Sequence, residues 1–258
     1  MNATALIGYT GFVGGNLCSQ ATFDALFNSR NIDQMRGAHF DCIYCAGVNA
    51  VKWLANKEPE KDFEGIKRLL NVLETVTVNK AVLFSTVDVF AKPEGVDEES
   101  APQNNDALHA YGRHRLVVEE FFRSHFKALI IRLPGLFGNG LKKNIVFDFL
   151  HNNNLDQINS HSVFQFYSLD NIYADTTRCL NAGLDLVHFA TAPVDVAAVA
   201  REAFSMDFFQ GDTGSAARYD IRTKHAHLWG HEGPYINTPD QSLRDIKSFV
   251  ARERKHHG

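Results

Sequence analysis

The chain has 258 residues, 45% of them hydrophobic and 22% charged, which suits one large α/β domain with a full core. A net charge of −4 gives no electrostatic basis for holding nucleic acid or an anionic membrane surface. The sequence opens straight into an apolar strand, without a basic leader or an apolar run long enough to span a bilayer, so a cytoplasmic protein is expected. Four cysteines, Cys18, Cys42, Cys45 and Cys179, fit the reduced thiols of a cytosol. Cys42-Ile43-Tyr44-Cys45 has redox or zinc spacing. It falls inside a strand pattern that sends the two side chains to opposite faces, and no second Cys/His pair accompanies it, so no metal site is expected.

In chain order, Thr4 to Ile7 reads as a first strand. It leads into Gly8-Tyr9-Thr10-Gly11-Phe12-Val13-Gly14 and a helix over about Phe12–Ala21. Gly8 permits a sharp turn, Gly11 a close approach of backbone to a pyrophosphate, and Gly14 tight packing of helix on strand. The helix N-terminus offers free N–H groups and the positive dipole end. The spacing is one residue longer between the first two glycines than the common dinucleotide fingerprint. A glycine-rich turn with no ligand is the plain alternative. Phe23 to Phe27 reads as strand two and ends on Asn28-Ser29-Arg30. An acidic residue at that point holds the adenosine ribose of NAD; Ser29 and Arg30 suit the extra 2′-phosphate of NADP, so NADP is expected, with NAD as the alternative.

Asp41 to Ala46 is the next strand, then Val48 to Trp53 a helix or loop, and Asp62 to Val76 a helix with apolar residues at Phe63, Ile66, Leu69, Leu70, Val72 and Leu73. Lys80 to Phe84 is a buried strand running into Ser85-Thr86-Val87-Asp88-Val89-Phe90. Ala91 to Asp106 reads as an irregular loop, His109 to Phe126 as a helix, and Leu129 to Leu133 as a strand closed by Pro134-Gly135-Leu136-Phe137-Gly138. Beyond it the pattern predicts helices at Asn144–Leu150, Leu169–Ala182, Val194–Phe204 and Leu243–Val250, strands at Val163–Tyr167 and Val187–Ala190, and a solvated tail at Lys255-His256-His257-Gly258. Alternation of strand and helix predicts a Rossmann-type doubly wound parallel sheet. Residues 1–138 would form the cofactor-binding part, and 139–258 the last strands and a small substrate lobe.

Two features join the glycine turn. Ser85 and Thr86 stand at the carboxyl end of a strand, and Tyr111 begins a helix with Arg115 on the same face four residues on. A tyrosine hydroxyl serves as general acid or base when a nearby cation favours the phenolate, and a threonine hydroxyl can bond the same substrate oxygen. Most Tyr and Thr residues only pack or cap; the order of glycine turn, strand-end Ser-Thr and helix Tyr is what raises the chemical reading. Arg115 is expected to lower the pKa of Tyr111.

Gly8-x-x-Gly11-x-x-Gly14, Cys45-Ala46-Gly47, Ser85 to Phe90, Tyr111-x-x-x-Arg115, Arg132 to Gly138 and Gln165 to Asp170 together resemble the short-chain dehydrogenase/reductase superfamily. The likeness is to its extended, epimerase/dehydratase-like branch that acts on nucleotide sugars. The resemblance implies an NAD(P)-dependent oxidoreductase or epimerase in which Thr86 orients the substrate oxygen, Tyr111 is the acid/base and Arg115 stands beside it. It also implies cofactor contacts from Gly8, Thr10, Gly11, Phe12, Val13, Gly14, Ser29, Arg30, Cys45, Ala46, Gly47, Ser85, Tyr111, Arg115 and Pro134. Lys52, Thr86, Asp88, Asn144 and Arg222, with Arg218, are candidate contacts to a sugar or nucleotide-sugar substrate, and a homodimer is a candidate assembly. The family has Lys where Arg115 stands; arginine keeps the charge but cannot relay a proton. That departure leaves a second reading, a catalytically degenerate dinucleotide-binding regulatory or scaffold protein.

Overall fold

A computed structural model describes residues 3–102, 107–210 and 214–257. In chain order its elements are β1 (Thr4–Ile7), α1 (Phe12–Cys18), β2 (Ala25–Phe27), β3 (His39–Cys45), α2 (Lys52–Lys57), α3 (Pro59–Leu73), β4 (Thr77–Thr86), β5 (Glu94–Val96), α4 (Ala110–His125) and β6 (Ala128–Leu133). They continue with β7 (Gly135–Phe137), α5 (Ile145–His151), β8 (Val163–Phe164), β9 (Phe166–Ser168), α6 (Ile172–Asn181), β10 (Leu186–His188), β11 (Val194–Asp195), α7 (Val196–Phe204), β12 (Asp220–Ile221) and α8 (Pro239–His257).

The chain divides into two compact units. The first takes residues 1–92, 101–132 and 172–187; the second takes 93–100, 133–171 and 188–258. A six-stranded sheet of order β10-β6-β4-β3-β1-β2 organises the first, and β1 pairs parallel with both β2 and β3, as β3 does with β4. This is the Rossmann-type architecture that the alternating pattern predicts. The chain reverses its direction of travel across the sheet between β1 and β3, the place where open α/β sheets bind ligands outside the carboxyl ends of their strands. Ala5, Ile7, Ile43, Cys45, Ala81 and Leu83 of the strands pack with Ile66, Leu69, Val72 and Leu73 of α3 and Val118 and Phe122 of α4. The continuous apolar runs of β1, β3 and β4 follow from burial on both faces of a parallel sheet.

In the second unit, α5, α7 and α8 pack around Phe149, Val199, Phe204, Ile246 and Phe249. Several sequence boundaries need correction there. The predicted strand Val163–Tyr167 is two strands, β8 pairing antiparallel with β11 and β9 parallel with β7. Between them the buried Gln165 side chain takes the place of a backbone ladder, accepting from the Ile221 N–H and donating to the Ile221 carbonyl, both at 2.7 Å. The predicted loop 91–106 contains β5, which pairs with β12 around Gly95 at φ +69°; Gln103 to Asp106 lie outside the described residues. The supposed tail is helical as far as His257, because α8 starts earlier and ends later than Leu243–Val250. Pro239 occupies its first turn, and Thr238 and Gln241 cap each other, Thr238 N–H to Gln241 Oε1 at 2.7 Å and Gln241 N–H to Thr238 Oγ1 at 3.2 Å. In the first unit α1 stops at Cys18 instead of Ala21, where the Ser19 hydroxyl turns back to the Asn16 carbonyl.

Candidate active site

The glycine turn has the form that the sequence requires. Gly8 lies at φ +88°, and a Cβ there would come within 2.7 Å of the Gly47 backbone, so β1 and the Cys45-Ala46-Gly47 end of β3 abut. A Cβ on Gly14 would lie 2.9 Å from Tyr9 Cα, so α1 rests directly on the turn. Gly11 is exposed and caps α1 with ordinary backbone angles, and its nearest neighbour to a Cβ is the Gly8 carbonyl oxygen at 3.2 Å. Thr10 is exposed, and Phe12 and Val13 open the helix half-buried. A pyrophosphate fits this arrangement: two glycines pack the turn shut, the Gly11 N–H closes it on the Gly8 carbonyl at 2.9 Å, and the first turn of α1 that follows is where a helix offers its unpaired N–H groups. Ser29 and Arg30 lie exposed just beyond β2, where the Asn28 side chain accepts from the Arg30 N–H at 2.9 Å.

Thr86 ends β4, and its hydroxyl accepts from the Asp88 N–H at 3.1 Å as the chain turns. Tyr111 is buried in the first turn of α4, with the Arg115 guanidinium carbon 4.1 Å from its ring centroid and Thr86 near enough to bear on its pKa. Lys52 reaches in from α2 to pair with Asp88, Nζ to Oδ1 at 2.8 Å. Thr86, Asp88, Tyr111, Arg115 and Lys52 therefore come together in the first unit. Arg115 does pull the Tyr111 pKa down, as expected, but it does not decide the net value. Burial pushes the phenol up and wins; Arg115 and Thr86 pull it down, and Asp88 pushes it up, leaving it above the ordinary tyrosine value.

Other predicted residues have local partners. Ser85 donates to the buried carboxylate of Glu119 at 2.6 Å. In the second unit Asn144 caps α5, accepting from Val146 and Phe147 and donating to the Leu136 carbonyl. Arg222 pairs with Asp220 at 2.7 Å, Arg218 bridges to Val163, and Pro134 follows β6. Cys42 and Cys45 are free thiols whose pKa values burial raises to about 11.

The geometry adds residues that sequence reasoning missed. His109 caps α4, its Nδ1 accepting from the Gly112 N–H at 3.1 Å, and burial followed by the Lys52 charge lowers its pKa, which keeps the ring neutral for this role. Asn56 of α2 accepts from the Tyr111 N–H at 2.9 Å. A Cβ on Gly112 would meet the Leu108 side chain at 2.8 Å, so that glycine lets α4 approach the Asp88 turn. Asp62 pairs with Arg115 at 2.8 Å. A Gly following the tyrosine was a readable signal; a His cap and an acid fifty residues upstream were not.

The profile of the NAD dependent epimerase/dehydratase family matches residues 23–165. No curated protein matches the sequence. Among solved structures, a UDP-glucose 4-epimerase from Thermotoga maritima with UDP-glucose is 15% identical, with a TM-score of 0.73 over 99% of this chain and 100% of that one. A UDP-N-acetylglucosamine 4-epimerase from Methanobrevibacter ruminantium M1, in complex with UDP-N-acetylmuramic acid, is 10% identical with a TM-score of 0.73 over 99% of each chain. A dTDP-4-dehydrorhamnose reductase from Bacillus anthracis in complex with NADP is 17% identical, with a TM-score of 0.73 over 98% of this chain and 99% of that one. At these identities the likeness establishes the fold.

Proposed function

Because the chain belongs to the NAD dependent epimerase/dehydratase family of enzymes, we propose that it oxidises, reduces or epimerises a sugar-like substrate linked to a nucleotide. The observation that carries this reading is the grouping of Thr86, Tyr111 and Arg115 in the unit that holds the glycine turn. The proteins of similar fold named for UDP-glucose, UDP-N-acetylglucosamine and dTDP-4-dehydrorhamnose support the substrate class. Nothing in the grouping favours a binding-only protein.

The backbone N–H groups around Gly11 would hold the pyrophosphate, and Arg30 the 2′-phosphate of NADP. When bound, the nicotinamide supplies a reversible hydride acceptor. The chain's own residues handle the proton. Tyr111 as the neutral phenol, the form that burial favours, would give its proton to a carbonyl oxygen in the reducing direction and be left as the phenolate; in the other direction it is the phenolate, favoured by the Arg115 charge, that would take the proton from a hydroxyl. Thr86, at the end of β4 near the phenol, would steady the substrate oxygen. Lys52 and Asp88 offer a charged pair to sugar hydroxyls.

The test is turnover of a panel of nucleotide sugars with NAD and NADP. Tyr111→Phe is expected to lose roughly 10²–10⁴-fold in rate while its cofactor affinity by calorimetry stays at the wild-type value. Wild-type turnover that survives Tyr111→Phe removes the acid/base assignment. The same calorimetry reads cofactor choice. Wild type should prefer NADP, and Arg30→Ala should lose about 1.5–3 kcal/mol of NADP binding, the value of a charge-assisted bond, with little change for NAD. Equal affinities in wild type would sink that preference.

A further inference from the structure

Arg115 is held more tightly than a charge beside a tyrosine needs to be. Its guanidinium is buried; Nη1 donates to Asp62 Oδ2 at 2.8 Å, Nη2 donates to the Asn49 carbonyl, and its flat face covers the Tyr111 ring. The Asp62 side chain is buried as deeply, and the same Oδ2 lies 2.8 Å from His114 Nδ1. His114 packs on Phe63, with ring centroids 5.0 Å apart. The carboxylate therefore cannot swing away without leaving two partners on α4. A planar fork whose donors are satisfied keeps one orientation, whereas an unpaired long side chain samples many.

We propose that Asp62 is a positioning residue for Tyr111: it locks the Arg115 guanidinium flat on the tyrosine ring, so that the charge acts on the phenol from one fixed place. The inference rests on the reading of Tyr111 as acid/base. The charged and titratable groups facing Tyr111 are Arg115 on its own helix, Asp88 in the turn after β4 with Lys52 from α2, and His109, whose ring lies 6.1 Å away. Those facing Arg115 are Asp62 of α3, and His114 of α4 through Asp62. The sign of one effect separates positioning from mere proximity. A carboxylate acting only by its charge makes a nearby phenol harder to ionise, so its removal would lower the Tyr111 pKa. A carboxylate that holds the cation in place does the reverse, and its removal raises that pKa.

The experiment compares Asp62→Asn, Asp62→Glu, Arg115→Met and the Asp62→Asn/Arg115→Met double variant by NMR of the full chain. Arg115 Nη signals are assigned by their loss in Arg115→Met, and the Tyr111 ring carbon by its loss in Tyr111→Phe. In wild type the Nη signals are expected to be resolved by hindered rotation. Asp62→Asn should merge them and move the Tyr111 titration up by about one pH unit or more. Asp62→Glu, which displaces the pair by a methylene, should fall between. In the Arg115→Met background, removing Asp62 should leave the titration where it was. Averaged signals in wild type, an unmoved or lowered titration in Asp62→Asn, or an equal rise in the Arg115→Met background overturns the proposal. If Asp62→Asn does not fold, Asp62→Glu decides, and a Tyr111 titration unmoved by the displaced carboxylate overturns it equally. Turnover is a separate arm: a wild type inactive on every nucleotide sugar removes the acid/base reading of Tyr111, while the NMR signals still decide what Asp62 does.

Discussion

At Gly8 the chain turns with φ +88°, and at Gly14 it passes within van der Waals contact of Tyr9; a side chain at either place must displace backbone. Gly11 differs. Its φ is −85°, it is exposed, and a Cβ there would approach only the Gly8 carbonyl, at 3.2 Å. One motif therefore splits into two glycines that the packing requires and one that it does not, which is the one the proposed pyrophosphate would approach. Gly11→Val is expected to stay folded, with stability changed by no more than about 1 kcal/mol, and to lose NAD(P) binding in calorimetry because its branched side chain occupies the pyrophosphate approach. Gly14→Ala should cost roughly 1–3 kcal/mol through overpacking, visible as a lower midpoint in urea. A Gly11→Val protein that binds cofactor as wild type does would show that the turn holds no phosphate.

Element by element, the first unit was more legible than the second for a physical reason. Strands β1, β3 and β4 are buried on both faces, so Ala5-Leu6-Ile7, Ile43-Tyr44-Cys45 and Ala81 to Phe84 stand out as apolar runs. Helix α3 buries Ile66, Leu69, Val72 and Leu73 at helical spacing. In the second unit the strands are two or three residues long, too short for periodicity to register, and Gln165 breaks one run by standing in for backbone. The start of α8 was legible and overlooked: Thr238-Pro239-Asp240-Gln241 is a capping box with proline in the first turn. Within the site, Tyr111, Thr86 and Arg115 could be read because they are close in sequence or end a clear element. Asp62 and Asn56 could not, since only the packing of α2 and α3 beside α4 brings them to Arg115 and Tyr111. The pull of Arg115 on the Tyr111 pKa was legible and the net value was not, because charge shows in a sequence and depth of burial does not.

At the scale of the whole first unit, one buried ionic network ties sheet to helix. Glu119 of α4 accepts from Arg132 of β6 at 2.7 and 3.0 Å, from Ser85 of β4 at 2.6 Å and from Arg123 at 3.0 Å; Glu119 and Arg132 are almost wholly buried. Burial pushes the Glu119 carboxyl up, but the Arg132 bond and charge, Ser85 and Arg123 overcome it, so the pKa lies below the ordinary glutamate value. A carboxyl whose pKa is lowered on folding stabilises above its unfolded value, near 4.3, and that contribution fades as pH falls through the folded value. Glu119→Gln leaves the Arg132 charge buried without its counterion and is expected to cost about 3–5 kcal/mol at neutral pH. Replacing both partners, as in Glu119→Leu/Arg132→Met, should cost much less than the single change, because no charge is left to desolvate. Urea unfolding of the three proteins from neutral pH down to acid checks both points. The gap between wild type and Glu119→Gln should be constant at neutral pH and narrow as the pH drops below the ordinary glutamate range; a gap that stays constant throughout would mean that Glu119 acts by its shape and not by its charge.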